Sequence, residues 1–107
     1  MRVWQLHEIE MPQGTRSPVV LDSEDSRAVL IALHPGQELG EHQVRERAWI
    51  VVVDGEIEVE TTDGKVTAGA GTLLELDPTE RRTVRSPDGA RLLILLAPWP
   101  GPGHYPE

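Results

Sequence analysis

The stretch GQELGEHQVRERAWIVVVDG, residues 36–55, decides how this chain folds. It opens on Gly36, closes on Asp54-Gly55 and contains an apolar run that begins at Trp49. Asp-Gly favours a type I′ hairpin turn, because that turn needs positive φ at both central residues. The pattern therefore predicts that residues 49–53 pair antiparallel with residues 56–61 across this turn.

The residues that follow have the alternation of a half-buried strand. Ile57 and Val59 alternate with three glutamates, which predicts one core face and one solvated face. Acidic side chains at such a position also discourage pairing with another sheet edge. The next Asp-Gly pair, Asp63-Gly64, predicts a second turn that leads into residues 65–68.

Turn-forming clusters such as His34-Pro35-Gly36, Asp77-Pro78 and Pro87-Asp88-Gly89 recur along the chain. Short runs rich in Val, Ile, Leu and Thr lie between them, as in an all-β sandwich or barrel. We expect no helix. The runs 28–33 and 92–97 are continuously apolar, which is typical of a central strand or of one covered by a partner subunit.

Composition narrows the functional classes. The chain has 107 residues, the size of one domain, and carries 18 acidic against 10 basic residues for a net charge of -8. This charge disfavours nucleic acid and anionic membranes as partners. There are no cysteines, which excludes zinc–thiolate sites and fits a cytoplasmic protein. The first residues lack the apolar stretch of a signal peptide, and we expect no membrane span.

Residues 36–55 resemble the first sequence motif of the cupin superfamily, G-x5-H-x-H-x3-E-x6-G. Gly36 and Gly55 occupy the two glycine positions, and His42 occupies that of the first histidine. Val44 stands in place of the second histidine and Ala48 in place of the glutamate.

The second motif, G-x5-P-x-G-x2-H-x3-N, fits residues 71–86 more loosely. From Gly71 it places Asp77 at the proline, Thr79 at the glycine, Arg82 at the histidine and Ser86 at the asparagine. The resemblance implies a small single-domain cupin: a double-stranded β-helix, or jelly-roll barrel, of about ten strands. The barrel is expected at residues 1–97, with a Pro/Gly-rich C-terminal arm at 98–107.

In metal-binding cupins, the four motif positions hold one divalent metal, and this chain keeps only His42 of them. One histidine is too few for a tight site, and the permanent cation of Arg82 cannot donate a lone pair to a metal. The metal site is therefore interpreted as degenerate, meaning that it has lost most of its ligands, and no cofactor is favoured. The alternative is iron, manganese, nickel or zinc held by His42, Glu46 and Glu75.

The favoured function is metal-free binding of a small, partly apolar anionic ligand inside the barrel. The predicted ligand site comprises His42, Val44, Ala48, Ile50 and Arg82. Arg82 would clamp the anion and His42 would serve as an acid or base.

Three alternatives stay open. One is a metal-dependent oxygenase or isomerase that uses His42 with Glu46 and Glu75, and another is a metal-free isomerase with His42 as base. The third is a non-catalytic structural or interaction barrel, in which Arg82 pairs with a glutamate. A homodimer is expected, since single-domain cupins commonly pair. His104, in the arm, is expected at the surface.

Overall fold

A computed structural model of the chain describes residues 1–11, 19–42 and 44–101, with the backbone alone at 40–42. These residues form strands without a helix, which confirms the predicted all-β class. The strands are β1 (Val19–Ser23), β2 (Arg27–Leu33), β3 (Glu38–His42), β4 (Arg47–Thr61), β5 (Gly64–Gly69), β6 (Leu73–Leu76), β7 (Arg82–Arg85) and β8 (Ala90–Ala97). Among the described residues, no helix is long and apolar enough to cross a membrane.

The 15-residue strand β4 joins two antiparallel sheets. Its first half pairs with β6 and β8, and β8 continues through β2 to β1. Its second half pairs with β5 and β7, and β7 continues to β3. The two sheets enclose the core between them, so residues that alternate inward along β4 contribute to a single interior.

The predicted hairpin turn at Asp54-Gly55 is wrong. Both residues lie inside β4, where Asp54 is opposite Arg91 and Gly55 is opposite Ala90 of β8. Gly55 has a φ of 80°, and a Cβ there would lie 2.2 Å from the carbonyl oxygen of Gly89. A close approach of two backbones beside a register shift between Val52 and Asp54 requires glycine here. The segments 49–53 and 56–61 are therefore one strand, and the described residues hold eight strands rather than about ten.

The second predicted turn is confirmed, one residue earlier in the chain. Thr61 is opposite Gly64, so Thr62 and Asp63 form the two-residue connection between β4 and β5. The alternation before it is also confirmed: Ile57 and Val59 are buried, and Glu56 and Glu60 are exposed.

The two continuously apolar runs are central strands, as predicted. β2 pairs with β8 over seven residues and with β1 on its other side, while β8 also pairs with β4. Leu92, Ile94 and Leu96 of β8 belong to the buried core. Leu93 and Leu95 point to the outer face of the sheet and are half-buried.

Candidate functional site

Arg82 is a charged side chain inside the barrel. It begins β7 and lies on the same face as Val84, which belongs to the core, so strand alternation directs it inward. Its exposed fraction is 3%. Arg81 and Arg85, one residue before and three residues after it, are exposed.

The contacts of Arg82 are few for a buried cation. Its Nη1 donates to the carbonyl oxygen of Glu80 over 3.5 Å, the upper limit for a hydrogen bond. Among the described residues, its Nε has no hydrogen-bond partner, and no carboxylate lies within ion-pair distance. Burial lowers the pKa of Arg82, and the charge of Glu80 offsets part of this. The expected internal pair with a glutamate is not formed within the described part of the chain.

A small cavity of about 180 Å³ borders Arg82. Glu60, Thr61 and Thr62 at the end of β4 line it, together with Arg81 and Thr83. Glu60 and Thr83 alternate with the buried Val59 and Val84, so the cavity opens on the outer face beside Arg82 and not into the core. Sites for drug-sized ligands enclose roughly 300–1,000 Å³. This cavity therefore has room for a carboxylate or phosphate group with a short carbon body.

Glu46, in the bend before β4, is the second buried charge and is 1% exposed. It faces inward from a bend rather than from a regular strand. One carboxylate oxygen accepts a hydrogen bond of 2.6 Å from the backbone N–H of Gly101. Glu46 therefore holds the C-terminal arm against the barrel. The sequence did not predict this contact between Glu46 and Gly101, and the only sign of it there was a glycine in the arm.

The arm is fixed at a second point. The backbone N–H of Trp99 donates to the carbonyl oxygen of Asp25 over 2.8 Å, and the guanidinium of Arg27 lies 4.7 Å from the centre of the Trp99 ring. Trp99 also packs against the core. Up to Gly101, the arm therefore lies across the barrel. The rest of it, with His104, is outside the described residues.

The other predicted ligand-site residues lie near Arg82 to different degrees. His42 is directly opposite Arg82 in the ladder between β3 and β7, and its side chain is outside the described part of the structure. Val44 is partly buried against the core. Ala48 and Ile50 are 0% and 1% exposed and belong to the core itself, so they form a wall rather than an open surface.

The residues present do not fit the divalent metal that the fold family implies. Val44 and Ala48 carry no lone pair, and Arg82 adds a cation. The alternative set of His42, Glu46 and Glu75 must also be corrected. Glu75 lies on the outer face, directly opposite Trp49, where its carboxylate accepts a hydrogen bond of 2.9 Å from Arg47. Strand alternation places Glu75 outside because Leu76 is buried. No group of three potential ligands occurs among the described residues.

Comparisons with known proteins agree with this architecture. The sequence pattern of the family described as "Cupin domain" matches residues 29–97. An uncharacterized protein with a double-stranded β-helix domain from Klebsiella pneumoniae superposes with a TM-score of 0.82 at 21% identity, over 94% of this chain and 93% of that one. No curated protein matches the chain.

Two further solved structures have the same fold. A cupin superfamily protein from Desulfitobacterium hafniense gives a TM-score of 0.79 at 14% identity, over 87% of this chain and 86% of that one. An RmlC-like cupin protein from Desulfovibrio desulfuricans gives 0.79 at 25% identity, over 92% and 97%. The chain therefore belongs to the cupin family, as a small domain with the double-stranded β-helix fold.

Proposed function

We propose that this protein binds a small, partly apolar anionic ligand at Arg82 without a tightly bound metal. The observation that supports the proposal is the state of Arg82: a guanidinium 3% exposed, with one long hydrogen bond and no carboxylate partner among the described residues. Removing a cation from water costs several kcal/mol unless an anion or a set of hydrogen bonds compensates. A bound anion would provide that compensation.

The chemistry of the guanidinium defines the ligand class. Arginine presents two parallel N–H groups that match a carboxylate or a phosphate, and such charge-assisted bonds are about twice as strong as neutral ones. The cavity of about 180 Å³ limits the ligand to a few carbons beyond the anionic group. Val44 does not line this cavity, but it is the partly exposed apolar side chain of the set and would contact a carbon body that extends from Arg82 toward the core.

His42 stays in the proposal as the second polar contact. Its backbone is paired with that of Arg82, and an imidazole titrates close to neutral pH. It could therefore share the anion with Arg82, or act as an acid or base if a reaction takes place. Ala48 and Ile50 would support the wall behind the ligand, since neither has exposed surface.

The close packing of the interior favours a second candidate, a non-catalytic interaction barrel. Its natural partner is a second copy of the chain, as expected for a single-domain cupin. Leu93 and Leu95 leave a half-buried apolar strip on the outer sheet face, and Leu73, which Val51 of β4 separates from Leu93, is 60% exposed. An apolar strip of this kind is typical of a face that another subunit covers.

The test is thermal unfolding of the untagged protein with butyrate, hexanoate or inorganic phosphate. A ligand that binds only the folded state raises the free energy of unfolding by RT ln(1 + [L]/Kd), so one of these anions at ten times its Kd gives about 1.4 kcal/mol. We expect Arg82→Gln to abolish this shift and Arg85→Gln, on the outer face, to keep it. No shift with any anion, or an equal shift in Arg82→Gln, would contradict the proposal.

Elemental analysis by mass spectrometry tests the metal-free part separately. We expect less than about a tenth of an equivalent of iron, manganese, nickel or zinc per chain, because the site lacks ligands. About one equivalent would replace this proposal with a metal-dependent enzyme.

A further inference from the structure

A second site lies on the outside of the barrel, away from the interior side of Arg82. Trp49 of β4, Pro78 and Thr79 of the turn before β7, and Ala97 and Pro98 at the end of β8 line a groove of about 620 Å³, here called the Trp49 groove. This volume is within the range of small-molecule sites. Trp49 alternates with the buried Ala48 and Ile50, so its partly exposed ring faces outward into the groove.

Two arginines border the Trp49 groove, and they differ in their partners. Nη1 of Arg47 donates to Glu75 over 2.9 Å and to Asp77 over 2.7 Å, and the hydrogen bond to Asp77 raises the pKa of Arg47. Arg45 is exposed and takes part in no ion pair with the rest of the described chain. Arg45 therefore leaves a positive charge uncompensated at one end of the groove.

The wall of the Trp49 groove is held in an unusual conformation. Thr79 has a φ of 65°, which β-branched residues rarely adopt. It occupies the third position of a turn closed by a hydrogen bond of 3.1 Å from Glu80 to Asp77, a position at which glycine is favoured. The N–H of Thr79 also donates to the carbonyl oxygen of Val44 over 2.8 Å. Strain of this kind concentrates at binding and catalytic sites, where the surroundings maintain it.

We propose that the Trp49 groove binds a planar aromatic carboxylate. The ring of the ligand would stack on Trp49 between Pro78 and Pro98, and its carboxylate would pair with Arg45. Each part of this ligand matches one part of the groove. The indole face of Trp49 and the two proline rings favour a flat apolar body, and the guanidinium of Arg45 favours an anion. The carboxylates of Glu75 and Asp77 are already bound to Arg47, so the anionic group would lie at the Arg45 end.

The experiment follows the three tryptophan indole N–H signals by NMR during titration with 2-naphthoate, using 2-naphthamide as the neutral control. Trp49→Phe identifies the Trp49 signal by its loss. We expect naphthoate to shift the Trp49 signal more than those of Trp4 and Trp99. Arg45→Gln should weaken naphthoate binding about fivefold, as for an exposed ion pair, and leave naphthamide binding unchanged.

Arg82→Gln separates this site from the ligand site proposed inside the barrel. It should leave the naphthoate titration of Trp49 unchanged, even where it abolishes stabilisation by hexanoate or phosphate. The inference is overturned if Arg45→Gln has no effect, if Arg82→Gln removes the shift, or if all three tryptophan signals move equally. It is also overturned if the Trp49 signal of the free protein moves with protein concentration, because a second copy then covers the groove.

Discussion

Glu46 and Arg82 both carry ionisable side chains and both are buried, but they differ in the hydrogen bonds that the rest of the chain makes to them. Glu46 accepts a hydrogen bond of 2.6 Å from Gly101 of the C-terminal arm. Arg82 has a hydrogen bond of 3.5 Å to Glu80 and, within the described residues, no carboxylate partner. A buried group that another segment of the chain bonds at 2.6 Å holds structure together, whereas a cation whose hydrogen bond is 3.5 Å long is suited to a partner from outside.

The largest expected effect is the loss of the carboxylate of Glu46. Glu46→Ala removes the acceptor for the Gly101 N–H and leaves a cavity, so we expect the free energy of unfolding to fall by about 3 kcal/mol. Urea denaturation measures this. Glu46→Gln keeps an acceptor oxygen and should lose less than half as much. Equal stability of both variants and the unaltered protein would show that this bond does not hold the arm.

Gly101→Ala tests the same contact from the side of the arm. A Cβ on Gly101 would lie 3.2 Å from the backbone of Arg45 and from Cγ of Glu46. We expect a loss of about 1.5 kcal/mol, as for a slightly overfilled core. Gly69→Ala is the matched control, because a Cβ there meets nothing within 4 Å, and it should not destabilise. A harmless Gly101→Ala would mean that the arm shifts freely on the barrel.

Arg82→Met should act in the opposite direction. Replacing an uncompensated buried cation by an apolar side chain of similar length removes its desolvation cost, so we expect a gain of about 1 kcal/mol in the absence of ligand. Arg85→Met changes an exposed residue paired with Glu58 at 3.3 Å and should alter stability by less than about 0.5 kcal/mol. A clear loss in Arg82→Met would assign the guanidinium a structural role like that of Glu46.

The smallest expected effect is at Thr79. Its backbone N–H donates to the carbonyl oxygen of Val44, which joins the turn before β7 to the segment before β4. Thr79→Gly relieves the cost of a φ of 65° but adds backbone entropy to the unfolded chain, for a net gain of about 0.5 kcal/mol. Thr79→Ala keeps a Cβ and should gain less. If thermal unfolding shows Ala at least as stabilising as Gly, positive φ is not the source of strain.

The features that the sequence predicted correctly are those that depend on local patterns. The alternation around Ile57 and Val59, the apolar runs of β2 and β8 and the inward phase of Arg82 all follow from a two-residue period, which needs no knowledge of neighbouring strands. The error at Asp54-Gly55 has the opposite origin. Positive φ at a glycine is compatible both with a hairpin turn and with close contact to another strand, and the distant Gly89 decides between them.

The same limit applies to the site. The ligand count at the motif positions alone argued against a metal, whereas the inward position of Glu46 depends on the bend before β4. The phase of Glu75 depended on where β6 begins relative to Leu76, and the residues that line the Trp49 groove come from three separate segments.

The sequence by itself determined the all-β class, the family resemblance and the inward position of Arg82, because these depend on spacing along one strand. Tertiary structure alone decided that Gly101 bonds Glu46, that Arg82 has no carboxylate partner among the described residues and that a groove forms beside Trp49. These features depend on the approach of segments far apart in the chain, and such distances are set by how the two sheets pack, not by any local pattern.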